Sequence, residues 1–475
     1  MGIRCLPVLL CLIVGAAVND PSRVAADSPP TPVRFTHDVA PLLRANCIAC
    51  HREGKTEGGL NLESLGKLRQ GGDTGSVISS GKPDESLIWL RVTGLEEPIM
   101  PPEDNTVAAK QLNEQQLATL KSWIRHDDGK SEEIATAMSP LASLKWTVMP
   151  SSVRSIGAID VSADGTYAAI AQANRVQIVD ISDPSKRVSV VDETVPGGNA
   201  ADFDVVQAIR FAPDGNTLVT GGFRAIRIWT KTTSSEPSES VSWKLKTMVG
   251  GPDSDVFADR VLAIDIHPDG KWVVVGGGLP SRSGEIRWVD LETGSVSERP
   301  SCSHADCVSS LRFSPNGELL ASASVDETIG IWNVSADQAV RTLEGHTGLV
   351  LSLDWHDDGN TLASASSDQT IRVWDVGNGE TKKTIAGFDT ELTSLQFVRG
   401  SNQIVVGGGN GQLSVADAVA GSLVRTISTN NQFLFSLAVV PGVAQVLAGG
   451  NQGDVRLWNF ADGNELKIMI SGEEL

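Results

Sequence analysis

The chain has 475 residues, a formal net charge of −19 and 40 % hydrophobic residues. That is enough apolar material for more than one core, since chains divide into domains of roughly 100–200 residues. So acidic a balance excludes nucleic acid as a main partner, because phosphate binding needs clustered Lys and Arg.

The chain opens with Arg4, an apolar run over 6–18 and the small residues Val24, Ala25 and Ala26. Charge, apolar core and small exit are the grammar of an export signal. Residues 1–26 are therefore expected to be a signal peptide, removed on export to the periplasm or cell envelope. The run is shorter than the roughly 20 residues a bilayer span needs. An uncleaved segment acting as an anchor is the alternative. No later stretch reads as an integral membrane span. Cys5 and Cys11 leave with the signal, and Cys47, Cys50, Cys302 and Cys307 remain. An even set suits an oxidising compartment.

Residues 33–129 read as a compact domain of helices and loops. Its centre is Cys47-Ile48-Ala49-Cys50-His51. Two thiols at this spacing can add to the two vinyl groups of one haem, and the histidine that follows then reaches the iron. Zinc would ask for a second pair of ligands with matching spacing, and none is nearby. Met100 stands in Ile99-Met100-Pro101-Pro102. The prolines fix the loop and would hold the thioether in place. His/Met ligation raises the reduction potential and suits electron transfer. His37 and His126 are the rival ligands.

Phe35, the runs 39–43, 58–62, 71–75 and 81–87, the motif 47–51, Met100 to Pro102 and the helix-like 117–124 together resemble the planctomycete-type cytochrome c domain. The resemblance implies a small all-α domain with one covalent haem c. It implies thioethers at Cys47 and Cys50 and axial iron ligands at His51 and Met100. The family typically ends in a Trp-Ile helix followed by Gly-Ala. Here Trp123-Ile124 runs into Arg125 and His126, which leaves His126 without a role.

Residues 130–150 read as a linker, and 151–475 as a repeat array. Val179, Trp229, Trp288, Trp332, Trp374, Ala416 and Trp458 hold equivalent positions, and the last four stand 42 residues apart. Each unit alternates apolar residues between turns such as Asp214-Gly215 and Asp358-Gly359, which is hairpin grammar. One unit cannot bury its own sheet, so the units must stack, and radial stacking makes a propeller. The array resembles WD40 repeats, implying an all-β, seven-bladed ring. His304, Ser322, Asp326 and Trp332 recur as His346, Ser364, Asp368 and Trp374. In that family these types form a hydrogen-bonded network inside a blade, so the resemblance makes them structural. Two segments compete to close the ring, 466–470 and 144–148. Cys302 and Cys307 flank His304, where a disulfide would close a small loop. The long early connections carry Asp192, Glu193, Asp202, Asp204, Asp253, Asp255 and Asp259. They read as a solvated loop, or as an acidic lip for a basic partner or a calcium ion.

These features point to an exported c-type cytochrome that transfers electrons and uses its propeller as a protein-docking platform. Its partners would be a redox protein and a second protein held by the propeller. His267, His304, His346 and His356 all sit in repeat turns or blade networks, so no catalytic set is read in the ring. The alternative is an oxidoreductase whose propeller holds a second cofactor or substrate and passes electrons to the haem.

Overall fold

The computed structural model describes residues 33, 35–52, 55–62, 65–102, 105, 109–127, 149, 153–195, 200–233, 241–252, 254, 256–297, 303–336, 338–429 and 431–472. The signal segment, most of the linker, the candidate closing strand 144–148, Cys302, Asp253 and Asp255 lie outside them.

The N-terminal unit is built on short helices. A π-helical turn, Phe35–Val39, runs directly into α1 (Ala40–Asn46). Then follow α2 (Leu65–Gln70), α3 (Leu87–Val92) and α4 (Glu114–His126). Asn113 starts α4 with a capping box: its side chain accepts from the Gln116 N–H, and the Gln116 side chain accepts from the Asn113 N–H. That reciprocal pair satisfies two of the donors a helix start leaves open. Phe35, Val39, Leu43, Leu68, Leu120 and Ile124 form the buried centre. Phe35 meets Trp123 at a ring-centroid distance of 5.3 Å, so the first turn and the last helix close on each other. A two-residue antiparallel ladder, His51–Arg52 against Lys55–Thr56, departs from a purely helical unit.

The described residues beyond 153 form seven four-stranded antiparallel sheets in sequence order. We number them blades one to seven: 156–190, 208–250, 261–304, 308–343, 350–385, 392–428 and 434–470. The seven aligned positions from Val179 to Trp458 all fall on the third strand of their blade. In blade five the second strand, Thr361–Ser366, is buried throughout, while the outermost, Glu380–Ile385, is mostly exposed. The gradient follows from radial packing, which buries both faces of the inner strands.

Each blade is one unbroken stretch of chain. The outer strand of blade seven is Glu465–Ile470, paired to Val455–Asn459, so the C-terminal segment fills that place. Among the described residues no strand from one end of the array completes a blade at the other. Side chains bridge the seam instead. Arg154 donates to the Gly472 carbonyl at 2.7 Å, Gln172 to the Gly453 carbonyl at 3.0 Å, and the Ile159 N–H to the Ser436 hydroxyl at 2.9 Å.

Seven innermost-strand positions face the axis: Asp160, Arg210, Asp265, Arg312, Asp354, Gln396 and Ala438. Three carboxylates and the amide also tie each blade to the next. The N–H groups of Phe211, Phe313, Phe397 and Val439 donate to Asp160, Asp265, Asp354 and Gln396 at 2.7–2.9 Å.

Candidate functional site

The end of α1 shapes the Cys-x-x-Cys-His segment. The Cys47 N–H caps the helix by donating to the Leu43 carbonyl at 2.8 Å. The N–H groups of Cys50 and His51 then donate to the Cys47 carbonyl at 3.2 and 3.1 Å. This tight turn gathers both thiols and the imidazole on one side of the chain. The His51 carbonyl accepts from the Leu62 N–H at 2.9 Å, which ties the motif to the glycine-rich segment after it.

That segment is folded by close backbone approach. The Asp73 N–H donates to the Gly58 carbonyl at 2.8 Å. A Cβ on Gly72 would collide with that same carbonyl, and one on Gly59, whose φ is +67°, would collide with the Asp73 carboxylate. Only glycine admits both the left-handed backbone and the contact.

The result is a cavity of about 230 Å³ walled by Cys47, His51, Leu62, Val77, Ile88 and Met100, among others. A smaller compartment of about 30 Å³ adjoins it, and there Cys50 joins Cys47, His51 and Met100. The four residues singled out from the sequence thus line adjoining compartments, although Met100 is remote from the motif in the chain. The Met100 N–H is held by the Arg91 carbonyl at 3.1 Å, so α3 sets the height of the methionine loop. The rival His126 is not on the wall. It sits exposed on the last turn of α4, with Nδ1 2.7 Å from the Ser122 carbonyl. The side chain of His37 lies outside the described residues.

The wall carries two charged side chains, Glu57 and Arg91, among mainly apolar groups. Burial pushes the Cys47 thiol up to about 12, against the pull of Arg282 from blade three. Burial likewise lowers the His51 pKa, opposed by the Glu57 carboxylate and by the Leu60 and Glu57 carbonyls. Among the described residues the buried Nδ1 of His51 has no hydrogen-bond partner. A neutral imidazole with an unsatisfied ring nitrogen, beside a thioether and two thiols, is a donor set suited to haem iron and its thioether links. The residues present therefore fit a c-type haem.

Residues 47–104 match the family model for planctomycete cytochrome C. This segment is of the planctomycete cytochrome C type. Residues 298–333 and 337–375 match the WD domain, G-beta repeat, and residues 157–190 match the LVIVD repeat. No curated protein matches the chain. The cytochrome match spans both halves of the cavity wall, from Cys47 to Met100. The WD matches reach into blades four and five, and the LVIVD match falls on blade one.

The network that the WD repeats implied joins the histidine of the preceding outer strand or connection to the Ser, Asp and Trp of blades four and five. His304 lies 3.0 Å from Asp326 through Nδ1 and 2.7 Å from the Ser322 hydroxyl through Nε2, and Trp332 donates to that hydroxyl at 2.8 Å. His346, Asp368, Ser364 and Trp374 repeat the arrangement at 2.7, 2.7 and 2.8 Å. Burial alone would raise the pKa values of Asp326 and Asp368. The hydrogen bonds from His304 and His346, with those from Thr328 and Thr370, hold both far below the usual carboxylate range. In blade seven the partner hydroxyl is absent, and Trp458 Nε1 has no partner among the described residues.

Three of the seven acids in the early connections turn inward, whereas Glu193 is exposed, Asp259 is half-buried, and Asp253 and Asp255 lie outside the described residues. Asp192 and Asp202 are each 1 % exposed and both grip Arg227, which is itself fully buried. Asp204 pairs with Arg260 at 2.7 Å. These three carboxylates are each paired with an arginine of the ring. Sequence reading missed Arg227, since nothing in the spacing links it to acids in the preceding connection. Cys307 is buried, but its expected disulfide partner, Cys302, lies outside the described residues.

The propeller axis opens into a funnel of about 730 Å³. Its charged side chains are largely paired with each other. Arg210 sits 2.8 Å from Asp160 and 2.9 Å from Asp265, and Arg399 sits 2.8 Å from Asp357. Among the described residues no group of three or more His, Cys, Asp or Glu is arranged to hold a metal ion.

Proposed function

We propose that the chain is an exported electron-transfer protein, with one haem c bound covalently through Cys47 and Cys50 and ligated by His51 and Met100. The observation that carries this reading is the convergence of Cys47, His51 and Met100 on one mostly apolar cavity, with a buried His51 nitrogen lacking a partner. The bound group would supply reversible one-electron chemistry at its iron. The chain's own part is to exclude water with Leu62, Val77 and Ile88 and to hold imidazole and thioether on a braced turn and a proline-fixed loop. The propeller, whose axial charges are largely paired with each other, serves in this reading as a platform for a docked protein. The segment 1–26 directs the chain to the periplasm or envelope.

The test is expression of the full chain with a c-type haem maturation system, followed by denaturing mass analysis and optical spectra. One covalent, low-spin haem lost in Cys47→Ser/Cys50→Ser supports the proposal. A chain that matures without covalent haem overturns it. A second chromophore bound to the propeller would favour the oxidoreductase alternative.

A further inference from the structure

Arg91 stands on a mainly apolar cavity wall that also carries the Glu57 carboxylate, with which it forms no ion pair, and it lies on the same α3 helix as Leu87, Ile88 and Val92. Its backbone has a separate task, since its carbonyl holds Met100. Its side chain has none. Nε of Arg91 is buried with no hydrogen-bond partner, and among the described residues no carboxylate pairs with its guanidinium. A guanidinium cannot escape the cost by losing its proton, because its pKa exceeds about 12. A half-buried cation aimed into a cavity therefore asks for an anion.

We propose that Arg91 anchors a propionate carboxylate of the bound haem. This rests on the haem reading above and extends it to the orientation of the group in the cavity. With His51, Cys47 and Met100 fixing one region of the wall, the acidic edge of the group must turn toward a cation. Arg91 is on that wall. Arg52 likewise has a buried Nε without a partner, but it is not among the residues of either compartment. The planar fork of arginine matches a carboxylate in two parallel hydrogen bonds.

The experiment compares the matured full chain with Arg91→Gln and Arg91→Lys. Covalent haem content, midpoint potential and the pH dependence of that potential are read for each. Removing the cation favours the more positive oxidised iron. Arg91→Gln is expected to keep its covalent haem and to shift the redox equilibrium about tenfold toward the oxidised form, about 59 mV for one electron. Its potential should also become steeper with pH around neutrality, because the unpaired propionate then takes up a proton more easily. Arg91→Lys should recover most of the potential, since charge is restored without the fork. A loaded Arg91→Gln with unchanged potential and pH dependence overturns the assignment alone. A parent chain without covalent haem overturns the haem reading and this assignment with it.

Discussion

Replacing Arg227 by Met tests whether the buried triad of blade two is held by its cation. In the native chain Arg227 is fully buried, and Nε binds Asp192 at 2.8 Å while Nη1 binds Asp202. The Phe203 ring lies 5.3 Å from its guanidinium carbon. Methionine keeps much of the volume and removes the charge, leaving two carboxylates that are each 1 % exposed. Breaking a buried ion pair from one side typically costs about 3–5 kcal/mol. Burial already pushes Asp202 up to about 6, with Arg227 pulling the other way. Without Arg227 that opposing pull is gone, so the folded carboxyl must titrate higher still. A group whose folded pKa lies above its unfolded value near about 3.9 stabilises the fold at low pH. That contribution is lost as pH rises through the folded pKa. Arg227→Met should therefore lose about 3–5 kcal/mol at pH 8 and clearly less at pH 5, read from urea unfolding at both values. The triple variant with Asp192→Asn and Asp202→Asn should recover part of the loss at pH 8. A single variant that loses under about 1 kcal/mol at pH 8, with no pH dependence, would refute the reasoning.

In blade five, Ser364→Ala strips the shared partner from Trp374 Nε1 and His346 Nε2, each left buried, at about 1–3 kcal/mol in urea unfolding. Trp458→Phe, at a ring whose Nε1 has no partner to lose, should cost less in the same assay. Asp326 and Asp368 have depressed folded pKa values, so their contribution is present above about 3.9 and lost as pH falls below it. Asp326→Asn should lower stability at pH 7 and flatten its fall on acidification; parallel curves for variant and parent would contradict the network's role. In the matured chain Met100→Ala should give a five-coordinate or weakly ligated iron with a lower potential, and an unchanged long-wavelength charge-transfer band would reject Met100.

The propeller was legible because its signal repeats. Trp332, Trp374, Ala416 and Trp458 stand at one interval, and a period cannot be mimicked by chance packing. The His304 and His346 networks were expected from the resemblance to WD40 repeats, which the recurrence of the same four residue types brought out. The Cys-x-x-Cys-His motif was legible because its residues are neighbours in the chain. What failed to show was pairing across distance between single residues. Asp192 and Asp202 read as surface acids because nothing local distinguishes a solvated aspartate from one that closes on Arg227 across the blade. Arg91 drew no reading at all, because only the folded cavity reveals an unmatched guanidinium. Ring closure was ambiguous between 144–148 and 466–470, since both are short alternating runs; the pairing of Glu465–Ile470 fills the outer place in blade seven.

The axial sequence Asp160, Arg210, Asp265, Arg312, Asp354, Gln396, Ala438 has a consequence of parity. Two signs can alternate without conflict around an even circle but not around an odd one. A seven-membered circle must place like beside like once, or interrupt the alternation. Here the interruption is neutral and sits where the last blade meets the first. Gln396 keeps the hydrogen bond to the next blade without the charge, and Ala438 drops both. Duplicating a single charged blade would seat two like charges side by side at the axis. Duplicating an adjacent Asp–Arg pair would not. Only the two neutral blades could be copied singly without that conflict, a constraint imposed by counting rather than by the chemistry of any one residue.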